Sequence, residues 1–291
     1  MATLRDIKTR ISSVQNIQKI TNAMKMVAAA KLRRAQENVI NARPYAKKIS
    51  VLLSHLVTEN DINNNPFITP RKVENVAVVT FSADRGLCGA FNTNIIKETV
   101  RYINKELKPE NINAHLFCIG KIGFSFFNKR NYTIFGKRIG LFSSLNYNQV
   151  QAITNELIPG YLEGKYDKVI LIFNEFKSVI SQKIVIEQFL PVPINSESEE
   201  NENKGDYIFE PDQQSIFNFL LPKQLRAQIW RALLESNAAE LGAKMTAMDN
   251  ATTNAKEMIR TLKIKFNKER QAAITKEILE IVSGANALKA E

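Results

Sequence analysis

The sequence predicts an α/β molecule: an antiparallel coiled coil of long N- and C-terminal helices plus a central Rossmann-like α/β domain. Three observations carry this reading. No glycine precedes Gly86 and no proline precedes Pro44. After Pro222 no proline recurs, and only Gly242 and Gly284 interrupt a helical composition. Between these ends the apolar period changes to short β-rich runs alternating with helical stretches, the pattern of a parallel sheet wrapped by helices. The expected division is 1–58 for the N-terminal helix, 59–222 for the α/β domain and 223–291 for the C-terminal helix.

In the N-terminal segment Leu4, Ile7, Ile11 and Val14 step by three and four, and Ile17, Ile20, Met24 and Val27 are expected to carry the stripe on. Such spacing lays one apolar seam along a helix, with Arg5, Lys8, Arg10, Lys19 and Lys25 largely off it. Pro44 lacks the N–H that bonds one turn back, so a kink or break is expected there. In the C-terminal segment Leu241, Met245, Met248, Thr252, Ala255, Ile259, Leu262 and Phe266 alternate steps of four and three, a coiled-coil seam. It breaks near Glu269 and resumes as Ile274, Ile278, Ile281 and Ala285. At about 1.5 Å per residue, a helix over 223–290 measures on the order of 100 Å. A compact globule of this chain length has a radius of gyration of only about 19 Å. Small-angle scattering should therefore return a value well above that; a value near it would contradict the long-helix reading.

In the middle, Val76–Phe81, His115–Ile119, Tyr132–Phe135 and Val169–Phe173 read as buried strands. Helical stretches at Asn94–Leu107, Ile122–Lys129 and Gln149–Glu163 alternate with them. Ile180–Leu190 reads as a further, antiparallel strand, and Asn195–Asp206, rich in Ser, Glu and Asn, as a solvated loop.

Composition narrows the function classes. The 291 residues are 44% hydrophobic and 24% charged, as in a folded globular chain. No run approaches the roughly 18 apolar residues that cross a bilayer. Cys88 and Cys118 are too few for a disulfide scaffold and fit a reducing compartment. The basic start lacks the apolar stretch of a signal peptide and continues without a break, so it reads as mature structure. The net charge of +11 sits at the two ends: residues 1–58 carry 11 basic and 2 acidic side chains, and residues 223–291 carry 12 and 8. A basic surface calls for an acidic partner, which charge alone does not choose.

The sharpest local feature is the run from Ser82 through Asp84, Arg85, Gly86, Cys88 and Gly89 to Asn92, between a strand and a helix. A glycine turn there can cradle a phosphate. Yet Gly86 and Gly89 form neither G-x-G-x-x-G nor a P-loop, so a tight turn is the expected reading. Asp84 and Arg85 read as helix-capping or pairing residues rather than an acid–base pair. Cys88 reads as a buried thiol, since His55 and His115 are the only histidines and neither lies near it in sequence. That scarcity also argues against a conventional zinc site. Trp230 reads as a packing residue. No catalytic, cofactor or metal constellation emerges, and none is expected.

Four blocks carry a specific resemblance: Ile7 to Lys31, Asp84 to Asn92, Lys244 to Ala255 and Ile274 to Ala285. In order and over the whole chain they resemble the gamma subunit of rotary ATP synthase. The resemblance implies a central shaft whose paired helices enter the ring of α and β subunits. The α/β domain then sits with epsilon on the c-ring, coupling ion flow to ATP synthesis without catalytic residues of its own. It implies contacts with β at Met24, Lys25, Arg270, Gln271 and Thr275. Contacts with the c-ring or epsilon are implied at Lys31, Arg33, Arg34, Tyr207 and Glu210. It places the complex peripherally on the cytoplasmic side of a bacterial plasma (inner) membrane. Two departures stand out: Lys244 occupies a position where arginine is common, and the acidic loop at Asn195–Asp206 reads as locally variable. The cysteine-bearing insertion of chloroplast relatives is also lacking, so thiol switching is not expected. The alternative classes are a basic coiled-coil nucleic-acid-binding or scaffold protein and a Rossmann-like enzyme. The first lacks a recognised reader motif, and the second a cofactor fingerprint.

Overall fold

The computed structural model describes residues 3–57, 65–193 and 209–289, with side chains to 285. Helix α1 spans Leu4–Leu56. The α/β part follows as β1 (Asn75–Phe81), α2 (Phe91–Tyr102), β2 (Asn113–Ile119), α3 (Lys121–Asn128), β3 (Ile134–Arg138), α4 (Tyr147–Leu162), β4 (Lys168–Phe176) and β5 (Gln182–Leu190). Helix α5 spans Gln213–Lys289. A π-helical turn at Ile103–Leu107 continues α2, as the expected helical stretch required. The chain divides into two compact units, Met1–Val27 with Met245–Glu291, and Ala28–Lys244.

In the larger unit the five strands run in the order β3-β2-β1-β4-β5. β1 pairs parallel with β2 and β4, β2 pairs parallel with β3, and β5 is antiparallel to β4. The central strands are buried on both faces, which is why they read as unbroken apolar runs rather than alternating ones. One face, with Val79, Phe81, Phe117, Leu171 and Phe173, packs on α4 and on Leu225, Ile229 and Leu233 of α5. The other, with Val78, Leu116, Ile170 and Ile172, packs on Ile95 of α2 and Phe127 of α3. This is the expected Rossmann-like arrangement with an antiparallel edge. In the same unit Ile49, Leu53 and Leu56 of α1 pack on Phe217 and Leu221 of α5.

In the smaller unit the two helices meet antiparallel. Val14 packs with Ala255 and Ile259, and Leu262 lies against them. Buried Thr21 and Thr252 share a hydrogen bond at 2.8 Å, and Lys25 pairs with Asp249 at 2.6 Å. Of the seam residues, Ile7, Val14, Met248 and Ile259 are buried, and Leu4, Ile11, Met245 and Leu262 half-buried.

Four details correct the sequence reading. The α1 stripe does not continue through Ile17, Ile20 and Val27, which are 51%, 59% and 56% exposed; half-buried Gln18 and buried Thr21 take the seam positions. The resumed α5 stripe at Ile274, Ile278, Ile281 and Ala285 is exposed. With Val14 against Ile259, α1 runs out opposite about Glu269 at equal rise per residue. Pro44 does not end α1, and α5 begins at Gln213, so that Pro222 lies inside it rather than just before it. Both prolines are exposed, so the carbonyl each one strands can bond water. Among the described residues no helix is long and apolar enough to cross a membrane.

Candidate functional site

The βα turn after β1 is held by its own chain. The Ala83 N–H donates to Asn92 Oδ1 at 2.8 Å, and Asn92 Nδ2 donates to Cys88 Sγ at 3.2 Å. Asp84 Oδ1 accepts from the backbone N–H of Lys121 at 3.1 Å and of Gly140 at 2.8 Å. Its carboxylate thus caps the N-terminus of α3, where an anion is favoured, and pins the turn after β3. Ser82 Oγ accepts from the Gly123 N–H at 2.9 Å and donates to the Ile119 carbonyl at 3.0 Å. The glycine turn therefore works as a clasp between β1, β2 and α3. The capping role of Asp84 was legible from its type, but not its partners, which lie 37 and 56 residues away.

Both thiols are buried. Burial pushes the Cys118 thiol up to about 12. Burial, then the nearby Glu240 carboxylate, raises that of Cys88, with Lys244 opposing. At neutral pH both stay protonated, so neither is a ready nucleophile. The native chain should resist alkylation at pH 8 and take up label at both positions once denatured; labelling of the native chain would contradict this. The sign for stability follows. An unfolded thiol loses its proton near 9.0 while folded Cys118 keeps it to about 12, so this group's contribution falls as pH rises through that window. His115 lies half-buried, 3.4 Å from Asn75 Oδ1, and Trp230 stacks edge-on to Tyr147 at 5.8 Å, both packing roles. Among the described residues no group of three or more His, Cys, Asp or Glu side chains could hold a metal.

The residues implied as contacts with β fall in two places within the smaller unit. Met24 and Lys25 are half-buried beside the threonine pair, with Lys25 engaged by Asp249. Arg270, Gln271 and Thr275 are all exposed on the part of α5 past the reach of α1. Ile274, Ile278, Leu279 and Ile281 beside them are 48–66% exposed, so this stretch shows both apolar and hydrogen-bonding groups. In the larger unit Lys31, Arg33 and Arg34 are exposed on α1, Arg33 lying 3.6 Å from Glu37. Glu210 is exposed just before α5, and Tyr207, like the loop at Asn195–Asp206, lies outside the described residues. Lys244, in the arginine-like position, bonds Glu240 one turn back at 2.7 Å, a single contact that needs no fork.

The family model for ATP synthase matches residues 3–288. The ATP synthase gamma chain of Chloroherpeton thalassium is 48% identical over 301 residues, covering 99% of each chain. That of Chlorobium phaeobacteroides is 48% identical over 292 residues, covering 99% of this chain and 100% of its own. The chain belongs to the ATP synthase gamma chain family. Its fold also matches solved structures. A chain of the Euglena gracilis mitochondrial ATP synthase superposes with a TM-score of 0.69 at 19% identity, over 99% of this chain and 95% of that one. One from the central stalk and c-ring structure of the Tetrahymena thermophila enzyme gives 0.62 at 24%, over 80% and 99%. Gamma chains are non-catalytic subunits of the complex.

The sequence did not single out Arg43 and Glu235. Arg43 Nε donates to Glu235 Oε1 at 2.6 Å, its Nη2 to Oε2 at 2.9 Å, and the pair joins α1 to α5. The only advance signal was a glutamate among apolar residues of α5, Leu233, Leu234 and Ala238.

Proposed function

We propose that this chain is the rotating shaft of its ATP synthase. The helix pair turns inside the αβ ring, and the α/β domain meets epsilon and the c-ring on the cytoplasmic side of a bacterial inner membrane. The observation that carries the reading is the end of α5. A helix that continues well past its intramolecular partner, with exposed isoleucines beside Arg270 and Gln271, needs an enclosing surface. Loops of β supply that surface, with Met24, Lys25, Arg270, Gln271 and Thr275 as the contacts. Lys31, Arg33, Arg34, Tyr207 and Glu210 serve the membrane-proximal end. Helices α1 and α5 are then the shaft and the sheet with its helices the domain that takes up rotation, the expected boundary at 222/223 falling inside α5.

The test is to purify the tagged chain under mild detergent and identify its companions. Recovery with α, β, epsilon and c subunits is expected. Recovery alone, or with nucleic acid that high salt removes, would overturn the proposal.

A further inference from the structure

Within the Ala28–Lys244 unit, one side of α5 carries Gln228, Arg231 and Glu235, spaced three and four apart and therefore aligned. All three reach the β4–β5 pair. Gln228 Nε2 donates to the Gln188 carbonyl at 2.9 Å and to Glu187 Oε1 at 2.7 Å. Arg231 Nη2 reaches the same Glu187 carboxylate at 2.6 Å. Glu235, whose side chain is 1% exposed, accepts from the Phe176 N–H at 2.9 Å, at the last residue of β4. From α1, Arg43 grips both Glu235 oxygens and also donates to the Phe176 carbonyl at 2.9 Å.

Around this row the sheet meets α5 through apolar side chains such as Phe173, Phe189, Leu225 and Leu233. Those close-packed side chains resist sliding by interlocking, but they fix no single register by bonding. Hydrogen bonds weaken steeply as their angle opens, and a buried carboxylate that loses its donors is costly. The polar row therefore adds a directional lock to this contact, one that is lost when its geometry shifts. Its anchors, Glu187 and Gln188 on β5 and Phe176 at the end of β4, sit on a strand pair bonded through to Phe176, and β4 in turn is bonded to β1 over Lys168–Ile172.

We infer that Gln228, Arg231 and Glu235, joined by Arg43, form the latch through which twist taken up by the sheet passes to the α1–α5 pair. The inference rests on the shaft reading. These are positioning residues, since they touch neither nucleotide nor ion.

The experiment compares whole complexes carrying wild-type chain, Glu235→Gln, or Gln228→Leu with Arg231→Met, for ATP hydrolysis and for ATP-driven ion pumping against a rising gradient. Each variant should hydrolyse ATP near the wild-type rate while pumping severalfold less, with the deficit growing as the opposing gradient rises. Arg43→Lys, which keeps the charge and loses the fork, should fall between them and wild type. If the ratio of pumping to hydrolysis is unchanged, or if the variants only fail to assemble, the row is a packing contact and the inference is overturned. A wild-type complex that hydrolyses ATP without pumping would instead count against the shaft reading.

Discussion

Arg270→Ala combined with Gln271→Ala should slow ATP turnover by the assembled complex severalfold or more, while the α1–α5 pair and assembly stay intact. Both side chains are exposed, on the stretch of α5 past the last α1 contact, so neither supports the fold. Arg270 offers a planar, permanently charged fork, and Gln271 a donor and an acceptor, which suit polar loops of β better than a dry seam. Each charge-assisted hydrogen bond to a partner that is lost would cost about 1.5–3 kcal/mol in the rotary state that uses it. At about 1.4 kcal/mol per tenfold, even one such loss is visible in the rate. Equal amounts of purified complex assayed for hydrolysis decide the matter; an unchanged rate would show that these residues are not the working contact. Lys25→Glu should disturb coupling chiefly by setting a negative charge against an acidic loop of β, and it also sets two carboxylates together where Lys25 now holds Asp249 at 2.6 Å. That pair is partly exposed, 36% and 53%, so its own loss is worth only about 0–1 kcal/mol.

Gly120→Ala should be among the most damaging single changes to the fold. Gly120 has φ of +92°, and a Cβ built there would lie 1.9 Å from the Ser82 carbonyl oxygen. That oxygen belongs to backbone which cannot retreat, since the Ser82 N–H is bonded to the Ile119 carbonyl at 2.8 Å. Backbone strain and overpacking each cost about 1–3 kcal/mol. Thermal unfolding of the purified chain should show a large drop in midpoint or no soluble protein. Gly86→Ala is the control: a Cβ there meets nothing within 4 Å, so its midpoint should stay at the wild-type value. A Gly120 variant that melts with wild type would mean the clasp between β1 and β2 is not as tight as described.

The strands and the α5 seam were legible because burial on both faces and a steady heptad leave patterns that need no partner to interpret. The α1 seam was not, past Val14. Its true path runs through Gln18 and Thr21, and a polar layer satisfied by Thr252 across the pair looks like a gap when one helix is read alone. Ile17, Ile20 and Val27 then attracted the stripe to the exposed side. The start of α5 was obscured by Pro222, which usually marks a boundary but sits here on an exposed face. Asp84 and Glu235 were visible as residue types only, because their partners come from Lys121, Gly140, Phe176 and Arg43, none of them near in sequence.

The measurement closest to the central claim is direct observation of rotation. Ile180 is 84% exposed, and the native thiols are buried, so Ile180→Cys accepts a probe selectively. With the αβ ring fixed to a surface and ATP supplied, the account predicts that the probe turns continuously in one direction and stops when ATP is removed. Full ATP hydrolysis with a stationary probe would contradict it.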